Sequence, residues 1–140
     1  MIDRDVILTK AYKVEHHLCR IKEKREISLD KFLDDLDCQE SILFNLQMAF
    51  QNCIDLAAHI ISDEELGIVG STNEMFYILK ENGYIDRGLS ENMVAAVGFR
   101  NLIVHEYGQI DLKQVYHIAH HNIDDLEHFV KAIVKKSGIS

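Results

Sequence analysis

Arg100-Asn101-Leu102-Ile103-Val104-His105-Glu106-Tyr107 places a guanidinium, an amide, an imidazole and a phenol within eight residues. The guanidinium keeps its charge at any physiological pH and matches two phosphate oxygens at once. The imidazole exchanges a proton near neutrality. A fixed cation and a proton carrier are what metal-free cleavage of a phosphodiester requires. If the segment is one helix running to Gly108, Asn101 and His105 share a face at the i,i+4 spacing. Arg100 and Tyr107, seven apart, then stack on the neighbouring face. Arg100 and His105 differ by about 140° around the axis and about 7.5 Å along it. One helix therefore does not aim both at the same phosphate. Two such helices facing each other across a twofold axis do, so the geometry predicts a homodimer whose cleft takes side chains from both copies.

The same residues have plainer readings. Arg100 could form a surface ion pair with Glu106 or Asp111, worth under about 1 kcal/mol. His105 could hydrogen-bond a backbone carbonyl in a core, Asn101 could donate to another, and Tyr107 could pack at the helix end. Other features carry less. His117, His120 and His121 lie at i,i+3,i+4 spacing, but without a Cys or an H-E-x-x-H pattern they read as a solvated face rather than a metal site. His16 and His17 are adjacent and cannot share one metal from a single helix face. Gly67–Thr72 resembles a phosphate loop only faintly, lacking the lysine and the preceding strand. Asp55 and His59 read as an i,i+4 pair that steadies their helix.

The R-x4-H-x-Y pattern of Arg100, His105 and Tyr107, with Asn101 after the arginine, resembles the signature of the HepT-like branch of the HEPN superfamily, the toxin half of HepT/MntA toxin–antitoxin modules. Cys53-Ile54-Asp55-Leu56-Ala57-Ala58-His59-Ile60-Ile61 is similar to that family's second-helix block. Gly70-Ser71-Thr72-Asn73-Glu74-Met75-Phe76 through Gly83-Tyr84-Ile85 is similar to its middle helix and turn. The likeness thus spans essentially the whole chain. One departure is the loop before Ser71, where relatives often carry a proline and this chain has none.

The resemblance implies an endoribonuclease toxin of a type VII-like system. It would need no metal or cofactor and would cleave RNA by 2′-hydroxyl attack at a site built across a homodimer interface. Arg100 and His105 would be catalytic, and Asn101 would support or orient substrate. Tyr107 would be the residue on which a cognate MNT-type nucleotidyltransferase antitoxin places AMP. The alternative from a different class is a non-catalytic helical nucleotide-binding or scaffolding module, in which Arg100 and His105 grip a phosphate without breaking a bond.

Composition bounds the rest. A chain of 140 residues is expected to form one domain over 1–140 and to bury roughly two-thirds of its unfolded surface. Hydrophobic residues make up 47% of it, which favours a packed core over disorder. Cys19, Cys38 and Cys53 are odd in number and lack C-x-x-C spacing, so they read as small apolar residues in a reducing compartment. No apolar stretch approaches the ~20 residues of a membrane span, and Met1-Ile2-Asp3-Arg4 does not open a signal peptide. The expected location is the cytoplasm.

The net charge of −8 argues against a general nucleic-acid binder. Its distribution softens that objection. Residues 27–91 carry three Lys/Arg against thirteen Asp/Glu, whereas residues 1–26 carry seven against five and residues 92–140 five against five. RNA could approach the first and last helices while the acidic middle faces solvent or a basic partner.

Proline is absent, and no alternating β-branched run stands out, so the fold class expected is all-α. A first helix is predicted over about Asp3–Arg25 from Ile7, Ala11, Val14, Leu18 and Ile21. Ser28 is predicted to cap one long second helix with a stripe from Phe32 through Leu36 and Leu43 to Ile61. Ser71–Glu74 is a capping box opening a short helix that stops at Gly83. Ser90 is predicted to start a fourth helix ending at Gly108, and Asp111 to cap a single last helix. About five helices with short connections make an antiparallel bundle.

Overall fold

The computed structural model describes residues 2–138 and contains seven α-helices among them. They are α1 (Arg4–Lys24), α2 (Leu29–Asp34), α3 (Leu36–Asp63), α4 (Thr72–Glu81), α5 (Arg87–His105), α6 (Leu112–His121) and α7 (Ile123–Lys136), with a 3₁₀ turn at Tyr107–Gln109. No strand occurs among the described residues. The all-α expectation holds, with two of the five expected helices broken in two.

The first break is at Asp35. Ser28 does cap a helix, accepting from the Lys31 N–H, but that helix lasts six residues. Asp35 then adopts an extended conformation (φ −109°, ψ 92°) and its carboxylate accepts from the Cys38 N–H at 3.0 Å, starting α3. Consequently Leu36, expected on the apolar stripe, is 63% exposed. Leu43, Phe50, Ala57 and Ile61 of the expected stripe are buried, and Cys38, Ile42, Leu46, Ala49, Cys53, Leu56 and Ile60 widen it. The second break is gentler. Asn122 stays in the right-handed helical region between α6 and α7, and its side chain makes no capping bond.

Helix α5 starts one turn earlier than predicted. Asp86, not Ser90, is the N-cap, accepting from the Leu89 N–H at 2.8 Å. Ser90 lies one turn inside the helix and is fully buried.

The core is a sandwich of α1 on α3, closed by α4, α5 and α7. Ile7, Val14, Leu18 and Ile21 of α1 meet the α3 stripe, and Phe76 of α4 packs edge-on against Phe129 of α7, ring centroids 5.5 Å apart. Each such side chain contributes about 1.5–3 kcal/mol by leaving water. Two helix ends use the same hydrogen-bond motif. After α4, Gly83 (φ 79°) lets the Tyr84 N–H reach the Leu79 carbonyl and its own N–H reach Lys80. After α3, Leu66 bonds Ile61 and Glu65 bonds Ser62 in the same way, but Glu65, not glycine, takes the left-handed position at φ 50°.

Candidate active site on α5

The rotation of α5 is set by the apolar side chains it buries, Met93, Val97, Phe99 and Ile103. With that stripe against the core, Arg100 falls on the flank facing α3, and Asn101 and His105 fall on the outward face. Arg100 is half-buried; Asn101 and His105 are exposed.

Arg100 is held by a chain of polar contacts across three helices. Its Nη2 donates to Gln51 Oε1 of α3 at 2.5 Å, and its Nη1 donates to Asn101 Oδ1 at 3.1 Å. Gln51 Nε2 in turn donates to Asp55 Oδ1 at 3.0 Å, and Asp55 Oδ2 accepts from Lys10 Nζ of α1 at 3.2 Å. Asp55 is therefore tied to Lys10 and Gln51 rather than to His59, the partner its spacing predicts. Arg100 forms no ion pair with Glu106 or Asp111 among the described residues. Of the five N–H donors of a guanidinium, two are engaged here, and Nε is buried without a partner. A hydrogen bond to a charged group contributes about 1.5–3 kcal/mol, enough to offset the roughly 2 kcal/mol of rotamer entropy that a fixed arginine gives up. The result is a preorganised cation with donors to spare. Gln51 and Lys10 escape a sequence reading because they lie on other helices, 49 and 90 positions from Arg100. Only the α3 and α1 packing brings them near.

His105 is the last residue of α5. Its ring makes no hydrogen bond among the described residues, and nothing links it to Arg100. The carbonyl oxygen of Asn101 is directed to Arg100 instead of the imidazole. The guanidinium and the imidazole of one chain thus lie on different faces, as the helical spacing requires.

Tyr107 departs from expectation. Glu106 (φ −135°, ψ 43°) ends the helix, so Tyr107 opens the 3₁₀ turn and does not stack above Arg100. Its ring lies over a cleft of about 220 Å³ lined by Glu40, Leu43, Phe44, Gln47 and Ile103. It is 54% exposed, and its hydroxyl has no hydrogen-bond partner among the described residues. Phe44, Leu102 and Val104, also exposed, surround this end of α5 with apolar surface.

Elsewhere, no group of three or more His, Cys, Asp or Glu side chains gathers to hold a metal among the described residues. The His117 and His121 rings pack on each other with centroids 4.6 Å apart, and His120 bonds the Tyr116 carbonyl. All three cysteines are free; burial pushes the Cys53 and Cys38 thiols up, while Cys19 is exposed. Among the described residues no helix is long and apolar enough to cross a membrane.

A family model described as ribonuclease HepT-like matches residues 14–133. An mRNA nuclease HepT of Shewanella oneidensis is 34% identical over 129 residues, which covers 92% of this chain and 96% of that protein. A tRNA nuclease HepT of Aphanizomenon flos-aquae is 30% identical over 115 residues, covering 82% and 78%. Among solved structures, a tri-AMPylated Shewanella oneidensis HEPN toxin in complex with its MNT antitoxin superposes with a TM-score of 0.86 at 34% identity, covering 94% of this chain and 98% of that one.

Proposed function

The chain belongs to the HepT-like ribonuclease family, and from that premise we propose that it is the toxin of a type VII-like HEPN/MNT toxin–antitoxin pair. In this reading residues 1–140 form one ribonuclease domain that cleaves RNA without a metal. The observation that carries it is Arg100: a half-buried guanidinium, fixed by Gln51 and Asn101, with donors to spare, on the same helix as an exposed histidine five residues on.

Arg100 holds the scissile phosphate and stabilises the charge that builds on its oxygens. The 2′-oxygen attacks phosphorus while its proton passes to an imidazole. The P–O5′ bond breaks, and the leaving oxygen takes a proton from an imidazolium. The products are a 2′,3′-cyclic phosphate and a 5′-hydroxyl. Because Arg100 and His105 of one chain face apart, the working cleft forms between two copies. The exposed Phe44, Leu102 and Val104 give the second copy an apolar surface to cover.

Tyr107 is the acceptor for inactivation by a nucleotidyltransferase partner. Its phenolic oxygen attacks the α-phosphorus of ATP and expels pyrophosphate. Each AMP then adds negative charge and bulk at the mouth of an anion site, repelling RNA.

The test is cleavage of RNA by the purified protein in EDTA. His105→Ala is expected to lower the rate by about 10²–10⁴-fold with helical circular dichroism unchanged. A variant that cuts as fast as the parent refutes the assignment. A non-catalytic binding module would leave RNA without new ends in both samples.

A further inference from the structure

We infer that the cavity between α5, α6 and α7 is a binding site for a nucleobase. It is about 250 Å³ in volume, below the ~300–1,000 Å³ of sites that take drug-sized ligands, and so suited to one flat ring system. Its floor is the edge-to-face pair Phe50 and Phe99, centroids 6.1 Å apart. Ala95 and Ala96 wall it from α5, and side chains that stop at Cβ leave the space open.

The rim holds hydrogen-bonding groups that the fold does not use. Asn122 stands where a helix cap belongs, yet its side chain makes no capping bond. Gln114 has no hydrogen-bond partner among the described residues. Asn92 Nδ2 donates to Asp125 Oδ1 at 3.1 Å, which leaves the Asn92 carbonyl and the second Asp125 oxygen as acceptors. No lysine or arginine lines the cavity; the His117 ring, packed on His121, adds one more donor or acceptor to the rim, and the Asp125 carboxylate repels a phosphate. The complementary ligand is a neutral aromatic ring whose edge both donates and accepts. An exocyclic amine fits the Asp125 and Asn92 oxygens, and ring nitrogens or a carbonyl fit the Gln114 and Asn122 amides. Apolar contact with the Phe50–Phe99 pair and with Ile118 and Leu126 supplies affinity without sequence demands. Ala96 lies one turn before Arg100 on α5, so an RNA strand held at Arg100 can place a neighbouring base there. Only that last step rests on the ribonuclease reading.

The experiment titrates the ¹⁵N-labelled full chain with adenosine, cytidine, guanosine and uridine and follows side-chain amide signals. Shifts at Asn92, Gln114 and Asn122 are expected, weakest with uridine, which lacks the amine. Ala96→Leu fills the cavity and is expected to weaken binding at least tenfold with unchanged circular dichroism. Gln114→Ala, an exposed substitution, is expected to weaken it several-fold. No shift with any nucleoside, or equal binding by Ala96→Leu, overturns the inference. Cleavage of mixed-sequence single-stranded RNA separates the sources. A base preference lost in Ala96→Leu marks a base of the strand, and an unchanged preference marks a free nucleoside ligand. If nucleosides bind but no RNA is cut, the base site stands and the ribonuclease reading fails.

Discussion

The α1–α3 pair and the C-terminal end of α5 treat the same kinds of side chain in opposite ways. Between α1 and α3, Ile7, Leu18, Leu46, Leu56 and Ile60 are closed off from solvent. At the end of α5, Leu102, Val104 and Tyr107 stand open, and polar groups rather than apolar ones set the side-chain directions. The first region resists change because every displaced atom leaves a void. The second holds one charged group firmly, by Gln51, and leaves its neighbours for something else to cover. Stability and the proposed chemistry are thereby drawn from different parts of one short chain, joined at the Lys10–Asp55–Gln51–Arg100 chain of contacts.

That division can be broken in order of expected effect. Leu56→Ala should cost about 2–5 kcal/mol of stability in urea unfolding, with the cleavage rate per folded molecule unchanged; a rate that falls with stability would show the two regions to be one. Arg100→Lys keeps the charge but loses the planar fork, and should slow RNA cleavage by about 10²–10³-fold at constant melting temperature. Gln51→Ala removes one hydrogen bond to the guanidinium, and about a tenfold slower rate with native circular dichroism is expected. A parental rate would mean that Asn101 alone suffices to hold Arg100. Glu65→Gly relieves a left-handed backbone and should stabilise by about 1 kcal/mol, read as a higher melting temperature without change in activity. The thiols give the mildest probe. Burial raises the Cys53 and Cys38 titrations, so at pH 8 both stay protonated, and a thiol reagent should modify Cys19 alone until the chain unfolds.

Much of the architecture is readable from periodicity and caps. The α1 stripe from Ile7 to Ile21, the box at Ser71–Glu74 and the stop at Gly83 are all where local chemistry puts them. The structure departs from local chemistry where two good caps lie close together. Ser28 and Asp35 lie seven apart, and Asp86 and Ser90 four apart, so each pair offers the same helix face two starting points. Ser28 and Asp35 are both used, each capping its own helix, whereas Asp86 alone caps α5 and Ser90 is buried inside the turn it opens. The order of Arg100, His105 and Tyr107 was visible, but not that Glu106 ends the helix between the last two. Nor could spacing reveal Gln51, whose part depends on where α3 lies beside α5.

The 3₁₀ turn at Tyr107 has a practical outcome for control. Since the ring hangs from a short corner and not from the rod that carries His105 and Arg100, a transferase that modified Tyr107 as proposed would reach the phenol without having to unwind α5. Silencing of that proposed kind would act on a stock of finished, folded chains as readily as on newly made ones.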